Sequence, residues 1–379
     1  MTMDATTDPK TGRTTDLKVD RLDVTAYTVP TDAPEADGTL AWTETTLVVV
    51  EARAGRTTGL GWTYAPADAG SVVCDLLRGE VLGRSPLDVP GANEAMSRAV
   101  RNAGRPGLVA CAISAVDLAL WDLKARLLDV PLVHLIGAVH ERVPVYGSGG
   151  FTTYHDTHLA TQLTGWVHGH GIERVKIKIG EDRGRAVERD LARVRHARET
   201  IGPHAELYVD ANGAYTRKEA VRVGHALADQ GVGWFEEPVS SDDLEGLRVV
   251  RDQVVSDVAA GEYGYDLSYF ARMTPVVDCL QADITRCGGL TVWLRAAAVA
   301  EAHGLELSGH CAPHAHAHAA ACVPNLRHLE WFHDHVRIES AFFTGALDPT
   351  GGTVRPGASG EPGHGMAFRH EAATAYRVL

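Results

Sequence analysis

A chain of 379 residues, 45% apolar and 22% charged, is long enough for one large barrel or two domains around a sizeable core. Its formal charge of −13, from 36 basic and 49 acidic residues, argues against nucleic acid or an anionic membrane as partner. An anionic small molecule is not excluded, because it senses only the local field of its pocket.

The start, "MTMDATTDPKTGRTTD", is polar, without an apolar core of the secretory type, and residues 1–17 are expected to form a disordered tail. The cysteines (Cys74, Cys111, Cys279, Cys287, Cys311 and Cys322) are scattered without CxxC spacing and read as reduced thiols of a cytoplasmic protein. No apolar run is long enough to span a membrane. Residues 18–140 read as an α+β unit. "LKVDRLDVTAYTVP" and "LAWTETTLVVVEARAG" have the composition of strands, separated by a polar loop, "TDAPEADG". "GLGWTYA" follows, and then helices. One of these, "LVACAISAVDLALWDLKARLLDVP", sets Ala112, Ala115, Ala119, Leu120 and Leu123 at helical spacing.

From 141 to 340 the texture changes. Eight short apolar runs recur, each closing on a polar residue and followed by a helical stretch: "RVPVYGSGG", "RVKIKIG", "AELYVDANG", "GVGWFEEPV", "VSDVAAGEYG", "CLQADITRCGG", "LELSGHCAP" and "LRHLEWFHD". Eight such alternations predict an α/β fold with a closed (β/α)8 barrel. The Gly- and Pro-rich stretch within 341–379 reads as loop and short strand packing back on the first domain.

In such a barrel the chemistry gathers at the C-terminal ends of the strands. There the sequence places Lys176 and Lys178, Asp210 and Asn212, Glu236 and Glu237, Glu262, Asp283, His310 and Glu330. Asp210, Glu236 and Glu262 fall 26 residues apart on consecutive strands. Neighbouring strands lie roughly 4.8 Å apart, so the three carboxylates repel one another unless a divalent cation sits among them, and hard oxygen donors favour Mg2+. Separate salt bridges to helix cations are the alternative. Glu237 alternates with Glu236 and is expected to find a partner outside the barrel, whereas Asn212 shares the face of Asp210, as a ligand or behind one.

Lys176 and Lys178, two residues apart on a strand, point the same way. Each ammonium disfavours the charge of the other and burial acts in the same direction, so one lysine is expected to be neutral near neutral pH and able to take a proton. Asp283 and His310 are expected to pair across the mouth, the aspartate fixing the imidazole tautomer. A base, an acid and a metal suit removal of a proton next to a carboxylate through an enediolate.

"AVDLALWDLKAR", "KIKIG", "DANGAY", "WFEEP", "AAGE", "ADITRCGGL", "SGH" and "HLEW", in this order, resemble the enolase superfamily, mandelate racemase subgroup, over nearly the whole chain. The resemblance implies a modified TIM barrel with an α+β capping domain, and Asp210, Glu236 and Glu262 as Mg2+ ligands. It also implies Lys178 as base tuned by Lys176, a His310–Asp283 dyad, and Glu330 at a substrate carboxylate oxygen. Ser148 stands where first-strand residues of this family touch substrate. The capping domain is expected to close the mouth through loops within 31–44 and 60–66, with Trp42, Trp62 and Tyr64 as specificity contacts or as interface packing. A homo-oligomer is likewise implied.

"HCAPHAHAHAA" departs from the family pattern. His314 and His318 are spaced to share a transition metal on a helix, but without a carboxylate or thiolate signature nearby the favoured reading is a helix start lining the strand exit. His314 or His316 is a further candidate for substrate hydroxyls. His333, Asp334 and His335 read as interface or surface groups. Protonated His310 opposite a base suits departure of hydroxide, and Thr43, Thr63 and Tyr64 suit a polyhydroxylated substrate. The expected activity is therefore dehydration of a sugar acid to a 2-keto-3-deoxy sugar acid. Racemisation or epimerisation of a 2-hydroxy acid is the alternative. Muconate-type cycloisomerisation is disfavoured by the histidine at 310, and a non-catalytic scaffold by the full set of ligands and base.

Overall fold

The computed structural model describes residues 17–379, so the expected disordered tail lies, but for Leu17, outside the described residues. Three antiparallel strands, β1 (Arg21–Ala36), β2 (Ala41–Ala54) and β3 (Thr57–Tyr64), form a sheet in that order. Alternation of apolar residues buries Leu47 and Val49 on one face and Val48 and Val50 on the other, each in its own core cluster. Helix α1 (Leu108–Leu127) lies directly on β3. A side chain at Gly61 would come within 2.2 Å of the Ala115 carbonyl oxygen, so glycine on the strand and small residues on the helix permit the contact.

The expected loop at 31–38 is mostly strand. After a register shift between Pro30 and Glu35, β1 resumes pairing with β2, and the turn shrinks to Asp37–Leu40. Pro30 is tolerated because β1 is the sheet edge, and buried Glu35 accepts a hydrogen bond from Trp42 Nε1 at 2.8 Å. The hairpin reaches over the barrel. Thr152 N donates to Ala36 O at 2.9 Å, and any side chain at Gly38 would meet the carbonyl oxygens of Gly180 and Ile179 within 2.8 Å.

Eight parallel strands follow: β4 (Val143–Gly149), β5 (Arg174–Lys178), β6 (Glu206–Asp210), β7 (Val232–Glu236), β8 (Asp257–Ala260), β9 (Cys279–Ala282), β10 (Glu306–Gly309) and β11 (Leu326–Phe332). Each pairs with its neighbour in sequence, and β11 closes on β4. Tyr146, Tyr208, Trp234, Ala259 and Cys279 form one buried cluster of strand residues, and Lys176 Nζ lies 5.2 Å from the Tyr146 ring centroid. All eight expected strands are present, and the fold is the modified TIM barrel with its N-terminal cap.

Buried Asp117 of α1 joins cap to barrel. It accepts from Asn93 Nδ2 at 2.7 Å and from Thr291 N at 3.0 Å, in the first turn of α2 (Leu290–Ala302). Asp122 of α1 accepts from Leu60 N and from His364 N, both at 2.8 Å. The C-terminal residues return to β1, where Val378 N donates to Ala26 O at 2.8 Å. Among the described residues no helix is long and apolar enough to cross a membrane.

Candidate active site

Lys178, Asp210 and Glu236 are the last residues of β5, β6 and β7, and pairing sets them side by side: Lys178 opposite Asp210, Asp210 opposite Glu236. Glu262 follows two residues after β8. One carboxylate oxygen from each of Asp210, Glu236 and Glu262 falls within 4.8 Å of the others, and all three side chains are buried. Glu262 Oε2 accepts no well-aligned hydrogen bond, although His310 Nε2 lies 3.2 Å away. Three buried hard donors this close, one with an orphaned oxygen, fit a divalent cation of the Mg2+ type.

The lysines do not behave as the pair alone predicts. Burial would lower both, but carboxylates from neighbouring strands outweigh it. Lys176 Nζ lies 2.5 Å from Glu236 Oε1 and 2.8 Å from Glu330 Oε1, and Lys178 Nζ bonds Asp210. Both ammonium pKa values lie above the ordinary lysine value, and the repulsion between the two lysines is the smaller effect. Two of the carboxylates that raise them, Asp210 and Glu236, are residues that would hold the cation, whose charge would offset theirs and let Lys178 give up its proton.

On the other flank of the carboxylates, His310 Nδ1 lies 2.8 Å from Asp283 Oδ2. Thr285 N and Oγ1 each donate to Asp283 Oδ1 at 2.7 Å, which fixes the carboxylate plane. Burial opposes protonation of His310, but the Cys311 sulfur and the Glu262 and Glu330 carboxylates push its pKa well above the ordinary value. The Cys311 thiol is itself pushed up to about 12 by burial and Glu330, so at neutral pH the carboxylates carry that effect. Cys311 and Ala312 take left-handed φ of 50° and 36°, uncommon for residues with a Cβ. Cys311 N donates to Glu330 Oε2 at 2.9 Å, and Ser148 Oγ donates to Glu330 Oε1 at 2.5 Å.

A cavity of about 560 Å3 opens above these groups, lined by Lys178, Asn212, Glu262 and His310 from the barrel and by Trp42 and Tyr64 from the cap. Asn212, with Oδ1 unpartnered, and Tyr64 thus reach it. Ser148 and Glu330 are buried next to the dyad. Trp62 and His314 are placed elsewhere, both bonded to the buried Glu339 carboxylate. Thr63 donates to Thr285 O at 2.7 Å, and Thr45 and Thr46 line the cavity where Thr43 does not.

Glu237 corrects a second expectation. Alternation between strand faces holds only within a strand, and β7 ends at Glu236; a φ of 37° turns Glu237 back toward the mouth. There burial and the Glu262 and Asp210 carboxylates push its carboxyl well up, and it lines an adjoining cavity instead of finding a partner outside the barrel. The extra histidines do not converge. His316 bonds the backbone of Ile284 and Ala312, and His318 that of Val133 and His364. His333 pairs with Asp32, and Asp334 bonds Thr45 and Arg337, as interface groups. His335 does more than pack: its ring stacks on Tyr64, centroids 3.4 Å apart, and it lines the cavity.

Arg286 lies outside the strand-end residues that the sequence singles out. Its Nη1 lies 3.1 Å from Glu262 Oε1 and its Nε 3.3 Å from Asp283 Oδ2, so it ties a cluster carboxylate to the histidine's partner. The signal was available, a basic residue three positions after Asp283 in "ADITRCGG". Glu339 carried no local signal, because its partners come from β3 and from the segment after β10.

A closed barrel with clustered strand-end acids, flanked by a lysine and an Asp–His pair beneath a cap, defines a class of carbon-acid enzymes, and comparison with known proteins agrees. Residues 23–137 match the mandelate racemase/muconate lactonizing enzyme N-terminal domain, and residues 158–373 match the enolase C-terminal domain-like family. The chain belongs to the mandelate racemase/muconate lactonizing enzyme family of the enolase superfamily. It is 34% identical to 3,6-anhydro-alpha-L-galactonate cycloisomerase of Streptomyces coelicolor, over 83% of this chain and 86% of the relative. To L-talarate/galactarate dehydratase of Salmonella typhimurium it is 31% identical, over 76% and 74%. A mandelate racemase/muconate lactonizing enzyme-like protein from Rubrobacter xylanophilus superposes with a TM-score of 0.92 at 50% identity, covering 95% of this chain and all of that one. A racemase from Streptomyces coelicolor, solved with bound magnesium, superposes at 0.89 with 30% identity and coverage of 95% and 100%.

Proposed function

We propose that this protein removes the proton α to the carboxylate of a sugar acid and expels the β-hydroxyl as water, giving a 2-keto-3-deoxy sugar acid. The reading rests on one observation: Lys178, Glu262 and His310 line a single cavity, with Asp210 and Glu236 clustered against Glu262 and Asp283 paired behind His310. Those three residues would hold Mg2+, which supplies positive charge where the substrate carboxylate gains a second negative charge. Lys178 takes the α-proton at Nζ, and Lys176 holds Glu236 and Glu330 in place. His310, oriented through Nδ1 by Asp283, delivers a proton from Nε2 to the departing hydroxyl. Glu330, held by Ser148, stands beside the substrate carboxylate, and Asn212 and Tyr64 face the sugar hydroxyls.

Racemisation or epimerisation of a 2-hydroxy acid uses the same flanking groups, with His310 returning the proton to the α-carbon. The test is incubation with Mg2+ and a panel of sugar acids in D2O. Formation of 2-keto acid is the expected result, and α-deuterium with inverted configuration and no keto acid would favour the isomerase. No turnover, with no Mg2+ bound by calorimetry, would leave a scaffold. We place the protein in the cytoplasm on its six unpaired cysteines, and as a homo-oligomer, which light scattering tests.

A further inference from the structure

The proposed chemistry accounts for one end of the substrate, and the wall facing that end says what the other can be. From the cap, the cavity is lined by Asp37 and Glu44 and by neutral groups that include Leu40, Trp42, Thr45 and Thr46. Asp37 is fixed at the hairpin tip, its Oδ1 accepting from Leu40 N at 2.8 Å, and Glu44 is exposed with no ion-pair partner among the described residues. The cap therefore presents two carboxylates and, among the described residues lining the cavity, no cation.

The barrel wall does not compensate. Lys178 is bonded to Asp210, and Arg286 is shared between Glu262 and Asp283. His335, stacked on Tyr64, accepts at Nδ1 from Ala312 N at 3.2 Å; burial pushes its pKa down to about 3, so it is neutral. Arg272 lines the adjoining cavity, but with Glu237, Asp242 and Asp266 around the same space. Within this cavity a second carboxylate at the far end of a substrate would meet like charge and, among the described lining residues, no unpaired lysine or arginine, whereas hydroxyls would meet Thr45, Thr46 and Asn212.

We propose that the substrate is a polyhydroxylated monocarboxylate, an aldonic acid with an uncharged far end, and that Glu44 with Asp37 turns away the corresponding sugar diacids. This rests on the sugar-acid reading above and narrows it.

The test gives the holoenzyme, with saturating Mg2+, pairs of an aldonate and the aldarate of the same configuration, following 2-keto acid and α-deuteration. The expected kcat/KM for the preferred aldonate exceeds that of its paired aldarate by roughly tenfold or more, and Glu44→Gln narrows the ratio by about threefold. Aldarates handled as well as or better than aldonates would overturn the proposal while leaving α-proton abstraction standing. A ratio unmoved by Glu44→Gln would overturn the assignment of the gate. If no member of any pair reacts or exchanges its α-hydrogen, the sugar-acid reading fails and this proposal with it.

Discussion

His310 Nδ1 lies 2.8 Å from Asp283 Oδ2, and the aspartate is itself held by Thr285 and Arg286. An imidazole held this way keeps one tautomer and presents Nε2 to the cavity. Asp283→Asn preserves shape but offers an amide where a carboxylate stood, and kcat is expected to fall by about 10²–10⁴. Steady-state kinetics checks the fall, and Mg2+ calorimetry should show the metal affinity little changed.

Lys178 and Glu262 should separate base from metal. Lys178→Ala is expected to abolish turnover and α-deuteration while Mg2+ still binds. Glu262→Gln removes one buried anionic donor and is expected to weaken Mg2+ by roughly tenfold or more, with activity partly restored by high Mg2+. An active Lys178→Ala enzyme would remove Lys178 from the role of base.

Asp117 links cap and barrel by accepting from Asn93 and from both donors of Thr291. Asp117→Ala takes the acceptor from these buried and half-buried donors, and a buried donor left unsatisfied costs about 1–3 kcal/mol. A loss of roughly 2–4 kcal/mol in urea unfolding is expected, with a fall in Tm.

His318 is buried and neutral, its pKa pushed down to about 3 by burial and by the neighbouring His364. The unfolded chain binds this proton near pH 6.5, whereas the folded chain refuses it until far lower pH. The stability it contributes is therefore complete above about pH 6.5 and lost at up to about 1.4 kcal/mol per pH unit below it. His318→Gln should flatten the decline in urea stability between about pH 6.5 and 5, while lowering stability at neutral pH through the bond lost at Val133 N.

Much of this was legible locally. Short apolar runs ending in polar residues marked all eight barrel strands, and the even spacing of Asp210, Glu236 and Glu262 marked a shared rim. The turn at Glu237 was not legible, because a left-handed φ just past a strand breaks the alternation on which its side was assigned. Nor was the continuation of β1 past Pro30, where residues 31–34 have no partner in β2 and pairing resumes only at Glu35 and Ala36. His314 and His318 shared a helical spacing but not a partner, since the groups that hold them come from distant segments.

By itself the sequence determined which residues share a strand end and, within the strand, which face they take, because backbone periodicity is set by neighbours along the chain. Tertiary structure alone decided their charge and their company. Closure of the barrel set Lys176 and Lys178 against three carboxylates from other strands, brought Arg286 between Glu262 and Asp283, and laid the Asp37–Glu44 hairpin over the mouth. Electrostatic and hydrogen-bonding partners are chosen by distance in space, and no local pattern carries that distance.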